Sequence, residues 1–345
     1  MIGASGEQRL ALALGAGGVF LAVAALVIAL LSDDDNTTTT TAGGCRVTTI
    51  AENELPAVVT ITVAGPAGSE TGSGEVIDDQ GHVLTNDHVI AAAASGGNIG
   101  VLFNDGSTQV ARLVGRDPQT DLAVLQVEQS DELHVIRFGS SQAIQVGQPV
   151  VALGAPLGLS STVTAGIVSA RDRSVTVPAD QGTALLVAAI QTDAAIKPGN
   201  SGGALVDCAG ELVGVPTAGV TVPNENGTAS AGSVGLGFAI PSDFAHSIAQ
   251  ELIANGSVTH GFLGIGVDST TAGNGLFITA ITPAGPAADA GLQVGDVITK
   301  LKGEQATSAE QLLELTLTHK PGDTVAISYE RRGEAHETRL TLGSR

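Results

Sequence analysis

A serine hydroxyl set in a glycine turn is a candidate nucleophile, and Ser201 stands in the run Gly199-Asn200-Ser201-Gly202-Gly203. Acyl transfer at a serine needs at least two backbone N–H groups aimed at the point where a carbonyl oxygen becomes an oxyanion. Side chains beside those amides would obstruct the approach, and a tight turn demands backbone angles that glycine meets best. The donors in this run would be the amides of Gly199 and Ser201. Taken alone, the pentapeptide reads equally well as a Gly-Ser loop of no consequence. The hydroxyl also needs a base. Of seven histidines, His88 stands out, because it follows an apolar strand and precedes an Ala-rich turn, where its ring can project from the end of a sheet. His82 on a hairpin, His134 in a polar connection, His246 on a helix, and His260, His319 and His336 near the C-terminus offer less. A carboxylate must then hold the imidazole in its productive tautomer. Asp121 opens the apolar strand Leu122-Ala123-Val124-Leu125, where a semi-buried carboxylate is costly unless it is hydrogen-bonded. Asp117 is its near competitor, and a plain turn aspartate after Pro118 is the bland reading.

These residues must be positioned by strands. The chain has 345 residues, 43% of them hydrophobic but only 2% aromatic, with no Trp. That length suits about two domains, and a core drawn from Val, Ile, Leu and Ala favours many short, closely packed strands. Period-two alternation starts near Ala51. Val59-Ile61-Val63 is one strand, and Glu75-Val76-Ile77 with His82-Val83-Leu84 reads as a hairpin. Further strands are expected at Leu122 to Val127, Val146 to Leu153, Thr162 to Ala170, Leu185 to Thr192 and Ala204 to Val215. Regular short strands with little helix imply an all-β barrel or sandwich. One helix follows, with Ser242 as N-cap and Gly256 as stop. Beyond Val258 the pattern changes to strands around an Ala-rich turn of helix (Pro286 to Ala290) and an amphipathic helix. Thr307 and Glu310 are expected to cap the latter as a capping box.

A net charge of -20 argues against nucleic acid and anionic headgroups as partners, since both are polyanions. Leu10 to Leu31 form an uncharged apolar run long enough to cross about 30 Å of hydrocarbon. With Arg9 before it and Asp33, Asp34 and Asp35 after it, the run is expected to anchor the chain in the cell membrane in a single pass, the bulk outside. A cleaved secretory signal is the rival reading, and both export the chain. The Asp- and Thr-rich stretch that follows reads as a solvated stalk. In that compartment Cys45 and Cys208 are able to form a disulfide; two unpaired thiols are the alternative.

Thr85-Asn86-Asp87-His88-Val89, the segment Gly115 to Leu125, Gln191-Thr192-Asp193-Ala194-Ala195-Ile196, Pro198 to Gly203 and Gly235-Leu236-Gly237-Phe238-Ala239-Ile240-Pro241 resemble the HtrA/Deg family of serine proteases. The resemblance runs from about Ala51 to the C-terminus, and the order His, Asp, Ser matches the chymotrypsin-like arrangement. It implies a mostly β fold of two perpendicular β-barrels with the active site between them. His88 is then the general base, Asp121 its orienter and Ser201 the nucleophile. By analogy with chymotrypsin-like folds, Ala195, Ile196 and Phe238 line the S1 pocket, and their lack of charge argues for cleavage after small or medium apolar residues. Lys197 departs from the asparagine usual in the family and reads as a surface lysine. Gly261-Phe262-Leu263-Gly264-Ile265 and the segment Pro286 to Ile298 resemble the small α+β PDZ domain of the same proteases. Its loop Phe262, Leu263, Gly264 and Ile265 would present amides to a terminal carboxylate, and its strand edge would accept an extended peptide. The resulting expectation is an anchor over 1–31, a linker over 32–50, a protease domain over 51–257 and a PDZ domain over 258–345. The resemblance further implies unfolded or regulatory protein substrates in protein quality control, peptide C-termini at the PDZ domain, a homo-trimer, and neither a metal nor an organic cofactor.

Overall fold

The computed structural model of the chain describes residues 41–42, 45–129, 133–155, 162–179, 182–217, 235–270 and 275–344. The apolar run 10–31 lies outside them, and no helix among the described residues is long and apolar enough to cross a membrane. Cys45 to Ile50, within the stretch expected as linker, is folded: Cys45 pairs with Cys208 at a Cα–Cα distance of 5.0 Å. Helix α1 (Val47–Glu54) then buries Ile50 against Val151 and Leu153.

The first barrel follows from alternation. Strands β1 (Val58–Gly65), β2 (Gly68–Val76), β3 (His82–Thr85), β4 (Asn98–Leu102), β5 (Thr108–Asp117) and β6 (Leu122–Gln126) close in the order β1-β2-β3-β6-β5-β4. Val59, Ile61 and Val63 point inward to meet Val76, Val83 and Leu125. The alternate face of the same strands looks away from this interior. There Val58 packs with Leu153, Ala204 and Val206 of the second barrel, and Thr60 Oγ1 donates to Ala155 O at 3.2 Å.

The second barrel closes in the order β8-β9-β12-β11-β10-β7, from β7 (Pro149–Gly154), β8 (Thr162–Ala179), β9 (Gly182–Thr192), β10 (Ala204–Val206), β11 (Leu212–Thr217) and β12 (Gly237–Pro241). The single strand expected over Ala204 to Val215 is two. A turn at Asp207 splits it, with Asp207 Oδ1 accepting the amides of Ala209 and Glu211. Helix α2 (Ser242–Asn255) lays Ala245, Ile248 and Leu252 on both barrels. It stops at Gly256, whose φ of +73° and amide bond to Leu252 O make a left-handed cap that favours glycine. Ser242 is not the N-cap: it is the first helical residue, and its hydroxyl donates instead to Gly139 O at 2.8 Å.

The C-terminal module is a sheet in the order β13 (Ile265–Ser269), β14 (Leu276–Ile281), β15 (Val297–Leu301), β16 (Thr324–Arg331), β17 (Glu334–Thr341), covered by helix α3 (Ala309–Thr318). The capping box exists one residue later than expected. Ser308 is the N-cap and Gln311 its partner, because the helix begins at Ala309 so as to turn Leu312 and Leu315 inward.

One position breaks the apolar pattern. Glu75 lies opposite Val58 and Leu84 in the ladder, so it shares their face at the junction of the barrels. It is fully buried, and neither carboxyl oxygen meets a donor among the described residues. Burial therefore holds its pKa well above the ordinary carboxylate value. The folded state keeps this proton at pH values where the unfolded chain releases it, so stability is lost as pH rises from about 4.5 toward the folded pKa. A buried polar group without a partner costs about 1–3 kcal/mol. Glu75→Leu is expected to raise the melting temperature, by more near pH 8 than near pH 4; an equal shift at both pH values would show that Glu75 is not held neutral.

Candidate active site

The base and its orienter both belong to the first barrel. β3 runs into extended Asn86, and His88 sits on the single helical turn Asp87–Ile90 that follows. Asp121 stands in the turn between β5 and β6 with φ +57°, a conformation that non-glycine residues adopt at a cost of about 1–3 kcal/mol. Its surroundings hold it there. His88 N donates to Oδ1 at 3.0 Å, Thr217 Oγ1 donates to Oδ2 at 3.1 Å, and Asn86 Nδ2 donates to the Asp121 carbonyl at 2.8 Å. His88 Nδ1 lies 3.0 Å from each carboxylate oxygen. Asp121 is 1% exposed and the His88 side chain 36%, so the carboxylate is shut from solvent while the ring is partly exposed. Asp117 takes other partners: Thr120 Oγ1 at 2.5 Å and His260 Nε2 at 2.8 Å. Burial alone would lower the pKa of His88. The hydrogen bond and charge of Asp121 outweigh it, with Asp87 and Glu70 adding, and raise the imidazole above its ordinary value.

The Ser201 turn comes from the second barrel and is closed by main-chain bonds. Asn200 N donates to Lys197 O at 2.9 Å, Gly202 N to Pro216 O at 2.9 Å and Gly203 N to Asn200 O at 3.0 Å. Gly202 has φ +78°, and a Cβ there would lie 2.3 Å from Thr85 Oγ1 and 2.4 Å from Ser73 O, so no other residue fits. The turn also reaches across to the first barrel, where Ser73 N donates to Ser201 O at 2.9 Å and Ser73 Oγ to Gly199 O at 2.6 Å.

The three residues expected at S1 are placed differently from one another. Ala195 is half-buried, and its carbonyl accepts Thr164 Oγ1 at 3.1 Å. Ile196 is buried with Ala194, Val168 and Ala239 inside the second barrel. Phe238 lies opposite Gln191 and Thr217 and packs on the separate cluster of Leu84, Val215 and Leu252. Lys197 is exposed. In the C-terminal module, Phe262 to Ile265 form one wall of a groove of about 470 Å³, with Leu312, Leu313 and Thr316 of α3 opposite. The carbonyls of Leu263 and Gly264 are taken by the amides of Ala287 and Thr282.

Sequence reasoning missed Ser73, Asn86, Thr85 and Thr217, which brace the site. Asn86 and Thr85 lie inside a quoted motif and were within reach. Ser73 and Thr217 announce nothing locally, because their roles come from partners more than ninety positions away.

Residues 72–215 match the family model described as a trypsin-like peptidase domain, and residues 261–342 match that of the PDZ domain. The chain is 43% identical to serine protease PepD of Mycobacterium tuberculosis over 86% of its own length and 66% of that protein's. It is 40% identical to a probable periplasmic serine protease of Haemophilus influenzae, covering 79% of this chain and 58% of the relative. With the periplasmic pH-dependent serine endoprotease DegQ of Escherichia coli it shares 38% identity, over 84% of this chain and 69% of the relative. The chain thus spans less than two thirds of the first two relatives. Among solved structures, the HtrA-type protease AlgW with a tripeptide superposes with a TM-score of 0.70 at 35% identity, covering 87% of this chain and 97% of that one. A serine endoprotease from Yersinia pestis gives 0.65 at 34% identity, covering 87% and 98%. The chain belongs to the HtrA/Deg family, with a trypsin-like serine peptidase domain followed by a PDZ domain.

Proposed function

We propose that this chain is an exported serine endopeptidase that cleaves unfolded or regulatory proteins through an acyl-enzyme. The observation that carries this reading is the His88–Asp121 pair, both carboxylate oxygens 3.0 Å from Nδ1, at the junction where the Ser201 turn is bonded across. Asp121 accepts a hydrogen bond from Nδ1–H, which keeps the proton on that nitrogen and leaves Nε2 as the acceptor. His88 then takes the Ser201 hydroxyl proton as Oγ attacks the scissile carbonyl. The oxyanion is held by the amides of Gly199 and Ser201. His88 returns the proton to the leaving amine, and water cleaves the acyl-enzyme by the same route.

Export is supported by the Cys45–Cys208 disulfide, which persists in an oxidising compartment, and by relatives named as periplasmic. Residues 10–31 would anchor the chain in the membrane. The groove beside Phe262 to Ile265 would take a peptide C-terminus as an added strand. A homo-trimer is the assembly proposed by family resemblance.

In the full chain, Ser201→Ala is expected to lower casein cleavage by about 10⁴-fold or more; undiminished cleavage would remove Ser201 from the mechanism. The base must be neutral to act, and its pKa is raised, so activity is lost as pH falls through a value above the ordinary 6.5. The acid limb of kcat/KM should therefore inflect above 6.5, and Glu70→Gln should move it to lower pH by removing one of the charges that raise it. An inflection below the ordinary value would contradict the assignment of His88. Ala195, Ile196 and Phe238 bring no charge to S1, so a peptide library should be cut after small or medium apolar residues. Cleavage confined to Lys or Arg would overturn that specificity.

A further inference from the structure

We propose that Ser73, on β2 of the first barrel, is a positioning residue that sets the oxyanion donors of the second; the inference rests on the proposed roles of Ser201 and its neighbouring amides. Ser73 is fully buried, and each of its polar groups has a partner. Its hydroxyl accepts the Ala155 amide at 2.8 Å and donates to Gly199 O at 2.6 Å. Its amide donates to Ser201 O at 2.9 Å, and its carbonyl accepts Thr85 Oγ1 at 2.7 Å. The Ala155 amide fixes which way the hydroxyl proton must point, since it occupies the oxygen from one side and leaves Gly199 O as the acceptor.

The consequence lies in the peptide planes of the turn. A planar peptide orients its C=O and N–H together. The plane between Gly199 and Asn200 is pinned at its oxygen by Ser73 Oγ and at its amide by Lys197 O. The plane between Ser201 and Gly202 is pinned at its oxygen by Ser73 N and at its amide by Pro216 O. The Ser201 amide belongs to the plane between these two, so Ser73 holds the planes on both sides of it. The Gly199 amide adjoins the first pinned plane at a residue with φ +98°, where glycine is free to rotate unless its carbonyl is held. Removing the Ser73 hydroxyl releases that carbonyl and leaves His88, Asp121 and the Ser201 side chain untouched.

The test uses the full chain and a short peptide substrate. Ser73→Ala is expected to lower kcat by about 10²-fold, the scale of losing one oxyanion donor, with KM within about threefold and the acid inflection of kcat/KM unchanged. Affinity for a peptide aldehyde, whose adduct places an oxygen in the same site, should fall with kcat. A kcat within twofold of wild type in folded Ser73→Ala overturns the proposal. So does a loss that follows only the unfolded fraction measured by thermal melting. If Ser73→Ala does not fold, Ser73→Cys decides by the same criteria, because the somewhat larger thiol leaves no void and donates only weakly. Ser201→Ala separates the two levels. If it stays active, the assignment of the nucleophile fails; if it is dead while Ser73→Ala is fully active, only the role of Ser73 fails.

Discussion

The two barrels meet backbone to backbone where Ser73 N reaches Ser201 O at 2.9 Å. At that separation no side chain fits between them, which is why the turn carries Gly202 at the point of contact. The approach is driven by clusters that straddle the junction. Leu84, Leu122 and Val124 of the first barrel pack with Val215, Ala189 and Ile240 of the second, and α2 covers them with Ala245, Ile248 and Leu252. Each large aliphatic chain buried this way contributes about 1.5–3 kcal/mol. Apolar burial sets how close the barrels come, but it is indifferent to a small slide along the seam. The directional bonds of Ser73 and Thr60, with Thr217 to Asp121 and Leu185 N to Gln119 O, restrict that freedom and so help fix His88 relative to Ser201.

The second constraint is electrostatic. Asp87, Asp117 and Asp121 are all buried at one end of the first barrel, and each needs its own compensation. Asp87 has a two-point contact with Arg116, Nε to Oδ1 at 2.5 Å and Nη2 to Oδ2 at 2.7 Å. Its pKa is nonetheless raised, by burial first, with Arg116 opposing and Asp121 and Asp117 adding. Asp121 has neutral donors and the histidine. This uneven sharing leaves His88 facing carboxylates that favour its protonated form and raise its pKa above the ordinary value.

His88, Asp121 and Ser201 were legible as candidates because they sit in unbroken local motifs. The residues alone left Asp117 as a competitor, the resemblance favoured Asp121, and the fold sets the Asp121 carboxylate against His88. Strand identity was legible from alternation; strand boundaries were less so. The run Ala204 to Val215 is apolar at both ends, and the Asp207 turn that splits it looks like one polar interruption until its side chain is seen capping two amides. Ser242 and Thr307 had the right residue type for caps, but each choice was settled by a competitor: the Gly139 carbonyl took the Ser242 hydroxyl, and Ser308 lay one step closer to the buried leucines. Glu75 was read correctly as strand, yet alternation cannot tell a solvent-facing side from a side that faces a second barrel.

The same limit applies where the protease domain gives way to the PDZ domain. In sequence the change near Val258 looks like an ordinary boundary, and His260 like an unremarkable member of the C-terminal module. In the fold His260 is 5% exposed and donates to Asp117, at the opposite end of the turn that carries Asp121. Gln119, in the middle of that turn, lines the groove beside Phe262 and gives its carbonyl to Leu185 N. Leu185 and Val187 in turn pack on Leu317 of α3. The five residues Asp117 to Asp121 are therefore contacted at one end by His88 and at the other by the module that follows. A carboxylate kept in a left-handed conformation depends on the path of its turn, and that path is touched both by the first barrel at Asp121 and by the C-terminal module at Asp117 and Gln119.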